Sequence, residues 1–122
     1  MPAVSETIDR STLMLKAFAD PTRLRLLNLL HGGERCVCEL VEVIGEPQPK
    51  ISRHLAYLRR AGLVRARKEG LWVHYRLTEP TGKLHRRLIE CIGGCLAEVA
   101  PFRDDLRRLK RGRPSRGRSG HE

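Results

Sequence analysis

QPKISRHLAYLRRAGLVRARKEGLWVHYRL, residues 48–77, is the stretch that decides the fold. Its first half places Ile51, Leu55 and Leu58 at i, i+4 and i+7, one apolar stripe on a helix running from about Gln48 to Ala61, where Gly62 stops it. The second half changes period. Leu63 to Lys68 and Leu71 to Leu77 are two strand-like runs around Glu69-Gly70, which reads as a β-hairpin. Just upstream, Cys36 to about Ile44 predicts a short helix, broken by Gly45-Glu46-Pro47. Two helices joined by a tight turn, the second one basic, make a helix-turn-helix, and the hairpin behind them makes it winged.

Further out, Asp20-Pro21 marks a helix start, with Asp as N-cap and Pro in the first turn. Leu24, Leu26, Leu27, Leu29 and Leu30 imply heavy burial of that helix, and His31-Gly32-Gly33 ends it. Residues 5–18 look helical, with Ser5 as a cap and Ile8, Leu15 and Phe18 near one face. Downstream, Thr78 or Thr81 caps a long final helix expected to end near Val99. Leu84, Leu88, Cys91, Cys95 and Val99 share one face of it, a natural helix-packing or dimer seam. Gly93-Gly94 weakens that helix by roughly 1 kcal/mol per glycine; close approach of a second backbone and a local bend would each account for them. Pro101 starts a last short basic turn. The expected fold is therefore mainly α with a small β-hairpin, a dimeric winged helix-turn-helix. Residues 1–110 form the DNA-binding and dimerisation domain and 111–122 a disordered basic tail.

The formal net charge is +10, from 24 Lys and Arg against 14 Asp and Glu. The excess is local. Between residues 48 and 76, Lys50, Arg53, Arg59, Arg60, Arg65, Arg67, Lys68 and Arg76 face Glu69 alone. Such a block suits a nucleic-acid backbone. No apolar run approaches the ~20 residues that cross a bilayer, and the first 18 residues have no signal-peptide core, so the chain is expected in the cytoplasm with no membrane partner. There the four cysteines stay reduced, and metal or redox chemistry is the better reading of them than disulfides. An enzyme is not expected: the sequence shows no Gly-rich phosphate loop, nucleophile elbow or metal-plus-carboxylate set.

Four segments in register carry a resemblance. Ala19-Asp20-Pro21-Thr22-Arg23-Leu24-Arg25-Leu26-Leu27, Cys36-Val37-Cys38-Glu39-Leu40, Pro49-Lys50-Ile51-Ser52-Arg53-His54-Leu55 and Leu58-Arg59-Arg60-Ala61-Gly62-Leu63-Val64 resemble the ArsR/SmtB family, as does the hairpin Arg67 to Leu77. The likeness spans about residues 15–80. It implies a winged-helix repressor that dimerises, binds double-stranded operator DNA and leaves it on binding a metal or metalloid. The Cys-x-Cys-Glu-Leu segment looks like that of the arsenic-sensing branch, which implies As(III) or Sb(III) as inducer and no permanent cofactor. A third cysteine of that branch's best-known pattern would fall at Val41, so the local thiol set is incomplete. Pro47 stands where the family often has Ser, and His85 lacks the partners of the zinc sensors' last-helix pattern. Other soft ions (Cd, Pb, Cu(I)) and a thiol redox or persulfide response remain alternatives.

Soft trivalent arsenic and antimony prefer sulfur, and thiolate is the binding form. The candidate ligands are Cys36, Cys38, Cys91 and Cys95. A helix N-terminus and the adjacent Arg35 are expected to favour thiolate at Cys36 and Cys38. Two positions apart on an ideal helix, their side chains point about 200° apart, so a shared ion would require the turn to unwind. Cys91 and Cys95, at i and i+4, sit side by side and could ligate directly or serve as core. For DNA reading, Gln48 suits adenine and Lys50 or Arg53 guanine. Ser52, His54 and Arg59 suit phosphate, although His54 could instead be a buried polar packer and Arg59 a complement to the helix dipole. Arg67, Lys68 and His74 on the hairpin could touch phosphate or the minor groove, while Trp72 and Tyr75 pack beneath it.

Overall fold

The computed structural model describes the backbone of residues 4–119 and the side chains of residues 8–112. Among them are helices α1 (Val4–Phe18), α2 (Pro21–His31), α3 (Val37–Ile44), α4 (Gln48–Arg60), α5 (Lys83–Gly94) and α6 (Ala100–Ser119), with a short 3-10 turn, Leu96–Glu98, between the last two. Strands β1 (Arg35–Cys36), β2 (Val64–Glu69) and β3 (Trp72–Leu77) form one antiparallel sheet in the order β1-β3-β2. The helix-turn-helix is α3–α4 and the wing is β2–β3, as the local patterns predicted.

The core lies where the leucine-rich faces meet. Leu26, Leu27, Leu29, Leu40, Ile51, Leu55, Leu58 and Leu63 have no exposed surface. The Asp20 side chain accepts from the Arg23 N–H at 3.0 Å, and Pro21 fills the first position of α2. Arg23 then reaches back to the carbonyls of Ala17 and Lys16, both at 2.9 Å, and lies 3.9 Å over the Tyr57 ring. One arginine thereby joins α1, α2 and α4. Gly45 closes α3 at φ +80°, a left-handed cap that a side chain would strain, and its N–H donates to Val41 O at 2.9 Å.

The end of the chain departs from expectation. The single helix expected from Thr78 or Thr81 to Val99 is the shorter α5 followed by the 3-10 turn, and the short basic turn expected from Pro101 is instead the long helix α6. α5 starts after Gly82 with no side-chain cap, and His85 Nδ1 accepts the Thr81 N–H at 3.1 Å instead. Thr78 donates its hydroxyl to Gly62 O at 2.7 Å. The break after Gly94 redirects the chain so that α6 packs on α2 and α3. Its anchor is Asp105, fully buried, held by Arg25 through two 2.8 Å hydrogen bonds and by Arg108. Arg108 also donates to Val43 O at 3.1 Å, tying α6 to α3. Gly93 serves close approach of a side chain: a Cβ there would sit 2.5 Å from the His31 ring. A disordered tail is expected over 111–122; α6 runs on to Ser119, while the side chains of 113–119 and residues 120–122 lie outside the described residues.

Asp105→Ala strips two arginines of their buried partner. Because Arg25 and Arg108 keep contact with water, the expected loss is about 2–3 kcal/mol, below that of a fully buried pair. Urea denaturation of the variant would read it directly, and an unchanged midpoint would remove Asp105 as the anchor of α6.

Candidate functional site

Cys36 does not lie on the helix. Its backbone is extended, φ −72° and ψ 146°, and it pairs with His74 in the β1–β3 ladder. It is the N-cap of α3. Its sulfur accepts the Cys38 N–H at 3.4 Å, and Glu39 completes a capping box by accepting the Cys36 N–H at 2.9 Å. Sulfur is a weak acceptor, so the carboxylate is the stronger half of the box. This corrects the expectation that the two sulfurs diverge by about 200°. With Cys36 one position outside the helix, the Cys38 thiol points back and donates to Cys36 Sγ at 2.7 Å. The pair is convergent with no unwinding.

The electrostatic expectation is also corrected. Cys36 is buried, and its thiol pKa is pushed up to about 11, first by burial and then by the hydrogen bond from Cys38. Desolvation outweighs the helix dipole here. The thiol is therefore protonated at neutral pH, and a soft ion binding it must displace a proton.

The pair opens into a groove of about 310 Å3 between the start of α3, the start of α4 and the inner face of the wing. Val37, Gln48 and Ser52 line one side, and Leu71, Trp72, Val73 and Tyr75 the other. The cysteine segment is also tied to the wing by charge. Arg67 donates to both oxygens of Glu34, at 2.6 and 3.2 Å, and holds that carboxyl below the usual range.

Cys91 and Cys95 are both exposed on α5 and its end. Their mutual hydrogen bond raises the Cys91 pKa. Leu84 and Val99, on the same stripe, are exposed too, as are Ile8, Leu13 and Leu15 of α1. The stripe is thus not core of the single chain. Among the described residues, no group of three or more His, Cys, Asp or Glu side chains comes together, so Cys91 and Cys95 do not complete the Cys36–Cys38 site within one chain.

Of the residues expected to face DNA, Gln48, Ser52, Arg53 and Arg59 are exposed along α4, and Lys68 and Arg67 on β2. Lys50 is half-buried and paired with Glu46 at 3.2 Å. Two candidates are corrected. His74 is buried, 3% exposed, because it sits opposite Cys36 inside the sheet, with Nε2 3.3 Å from Glu69. His54 turns toward Asp20 (3.7 Å) and Arg23 (3.4 Å), and burial lowers its pKa despite the nearby carboxylate. It is a packing residue of the α1–α2–α4 junction. Tyr75 packs under the wing as expected, whereas Trp72 is 37% exposed and Leu71, at the wing tip, is 95% exposed. Sequence reasoning missed the capping role of Glu39, although a carboxylate three residues after a candidate cap was there to be read.

Comparison with known proteins agrees with this architecture. Residues 20–66 match the family described as "Bacterial regulatory protein, arsR family". An uncharacterised HTH-type transcriptional regulator of Methanocaldococcus jannaschii is 42% identical over 86 residues, covering 70% of this chain and 97% of that protein. The arsenical resistance operon repressor of Escherichia coli is 54% identical over 66 residues, 53% of this chain, and the match spans only about half (56%) of that repressor. Among solved structures, the homodimeric winged helix-turn-helix DNA-binding domain of Mb0332 from Mycobacterium bovis, a possible ArsR-family regulator, superposes with a TM-score of 0.61 at 32% identity, covering 80% of this chain and 82% of that one.

A raised thiol pKa has a direct signature. Thiolate absorbance near 240 nm should show Cys36 ionising only as pH approaches about 11, and alkylation of Cys36 should be slow at pH 7 and accelerate as pH rises toward that value. Full ionisation of Cys36 below pH 8 would contradict the burial argument.

Proposed function

This chain belongs to the arsR family of bacterial regulatory proteins, and on that premise we propose that it is a homodimeric repressor that leaves its operator when Cys36 and Cys38 bind trivalent arsenic or antimony. The family is one of DNA-binding transcriptional regulators rather than enzymes. The observation that carries the reading is the convergence of two thiols, 2.7 Å apart, on the N-cap of the first helix of the helix-turn-helix. The arsenical repressor among the relatives supports the choice of metalloid.

The coupling follows from what Cys36 already does. Its sulfur accepts the N–H of Cys38, the second residue of α3, and its backbone is a rung of the β1–β3 ladder. A ligand that draws on that sulfur disturbs the start of α3, which supports α4, and the seating of the wing. Both DNA-facing elements then shift together. By linkage, operator DNA weakens ligand binding by the same factor. In this reading Gln48, Lys50 and Arg53 read bases, while Ser52, Arg59, Arg67 and Lys68 hold phosphate. The exposed apolar faces of α1 and α5 meet across the dimer, placing Cys91 and Cys95 at the seam as a second thiol pair. Two half-sites would be spaced by about one helical turn, near ~34 Å.

Fluorescence anisotropy with the promoter beside the gene tests the reading, with As(III), Cd(II), Zn(II) and a mild oxidant titrated separately, with and without a thiol reductant. Release by As(III) under reducing conditions is the expected result. Release by oxidant alone would move the chemistry to a dithiol–disulfide switch, which the touching sulfurs also permit.

Serine is a better N-cap than cysteine, so Cys36→Ser and Cys38→Ser should fold and bind operator normally yet fail to release it with As(III). Release by either variant would refute the site. Arg53→Ala should weaken specific binding by ~1–3 kcal/mol as a bidentate base contact, measured on operator against scrambled DNA; equal affinity to wild type would take Arg53 off the base-reading surface.

A further inference from the structure

We infer that the groove beside the thiols takes a carbon substituent carried by the arsenic, so that the site favours a monosubstituted organoarsenic(III) species over inorganic arsenite. This rests on the reading that Cys36 and Cys38 hold trivalent arsenic. Three observations lead to it.

The first is valence. Trivalent arsenic makes three bonds, and the site offers two sulfurs. Val41 stands where a third would come from the same helix, and among the described residues of one chain no further Cys or His joins the pair. The second is the surroundings. The sulfurs open onto Leu71, Trp72, Val73 and Tyr75, and an As–OH turned toward the apolar parts of that wall would lose the water it hydrogen-bonds. The third is space. The groove measures about 310 Å3, whereas an apolar cavity of about 150 Å3 already accepts benzene.

The chemistry balances. R–As(OH)2 and two thiols give R–As bonded to two sulfurs plus two waters. Two As–O bonds break and two As–S bonds form. Each thiol proton leaves on a departing hydroxyl, and arsenic stays trivalent throughout. The third bond remains As–C, with R lying against the wing. Arsenite would instead retain a hydroxyl there. Leu71 and Trp72, large apolar side chains left 95% and 37% exposed, would be covered by R. Because Gln48 and Ser52 form the opposite wall, filling the groove also presses on the start of α4.

Trp72 is the only tryptophan in the chain, so its emission reports occupancy. The full-length protein, reduced, is titrated with phenylarsine oxide and with sodium arsenite, and operator release is followed in parallel by anisotropy. Any dithiol has some intrinsic preference between these reagents, so the ratio of affinities is referred to that of dithiothreitol, measured in competition. The expected ratio exceeds the dithiothreitol ratio by about tenfold, the scale of one aromatic anchor, with quenching of Trp72. Trp72→Ala, read by anisotropy, should bring the ratio down to that of dithiothreitol while arsenite affinity stays within about twofold. Leu71→Ala, at an exposed tip without a packing role, should lower it in the same direction and keeps the test valid if Trp72→Ala does not fold. A wild-type ratio equal to that of dithiothreitol, or one unmoved by both variants, would overturn the groove assignment while arsenite-driven release left the parent reading standing. Failure of both reagents to bind or release would overturn the two together.

Discussion

The structure turns on one atom, the sulfur of Cys36. It caps α3, accepts the thiol hydrogen of Cys38, and belongs to a residue whose backbone joins the wing through β1 and β3. A cap made by an ionisable, soft atom is held by interactions that a thiophilic ligand takes over. A serine in the same place would support the helix more firmly but offer no soft donor. Helix capping and a soft donor atom thus coincide at a single residue, and Glu39 accepts the Cys36 N–H to complete the helix start.

Around that atom the molecule is braced on two sides. The wing is bound to the cysteine segment by the sheet and by Arg67–Glu34. The opposite side is braced by α6, whose Asp105 is clamped by Arg25 and whose Arg108 holds the carbonyl of Val43 near the end of α3. α3 is thus fixed at its far end by α6 and capped at its near end by a sulfur. Burial adds a second property. It keeps the Cys36 thiol protonated at neutral pH, so any bond formed to that sulfur must be accompanied by loss of the thiol proton, either to solvent or on a departing hydroxyl.

The DNA-facing surface is narrower than charge alone suggested. Arg67 divides its guanidinium between Glu34 and Glu69, and His74 is buried opposite Cys36. Arg67 is thus tied to the cysteine segment, and His74 lies inside the sheet. The exposed residues of α4 include Gln48, Ser52, Arg53 and Arg59, of which Gln48, Ser52 and Arg59 share one helix face. Apolar residues of α1 and α5, among them Ile8, Leu13, Leu15 and Leu84, are left uncovered in the single chain.

Much of this was legible in local sequence. Asp20-Pro21, Gly45, the Ile51–Leu55–Leu58 stripe and Glu69-Gly70 are short-range signals, each acting within a few residues, and the structure uses them as read. The cysteine motif and the basic block were also legible as candidates, because residue type alone carries softness and charge. Tertiary structure decided the rest. Cys36 left the helix because β3, some 38 positions downstream, pairs with it. The last helix broke because Asp105 finds Arg25 across 80 positions of sequence, and Gly93 makes room for His31 rather than for a second backbone. His74 was removed from the DNA surface by the same pairing that moved Cys36. Periodicity and caps are set by neighbours along the chain, so sequence determines them. Which side chain is desolvated, and which two sulfurs meet, depends on contacts between distant segments, and only the folded chain supplies those.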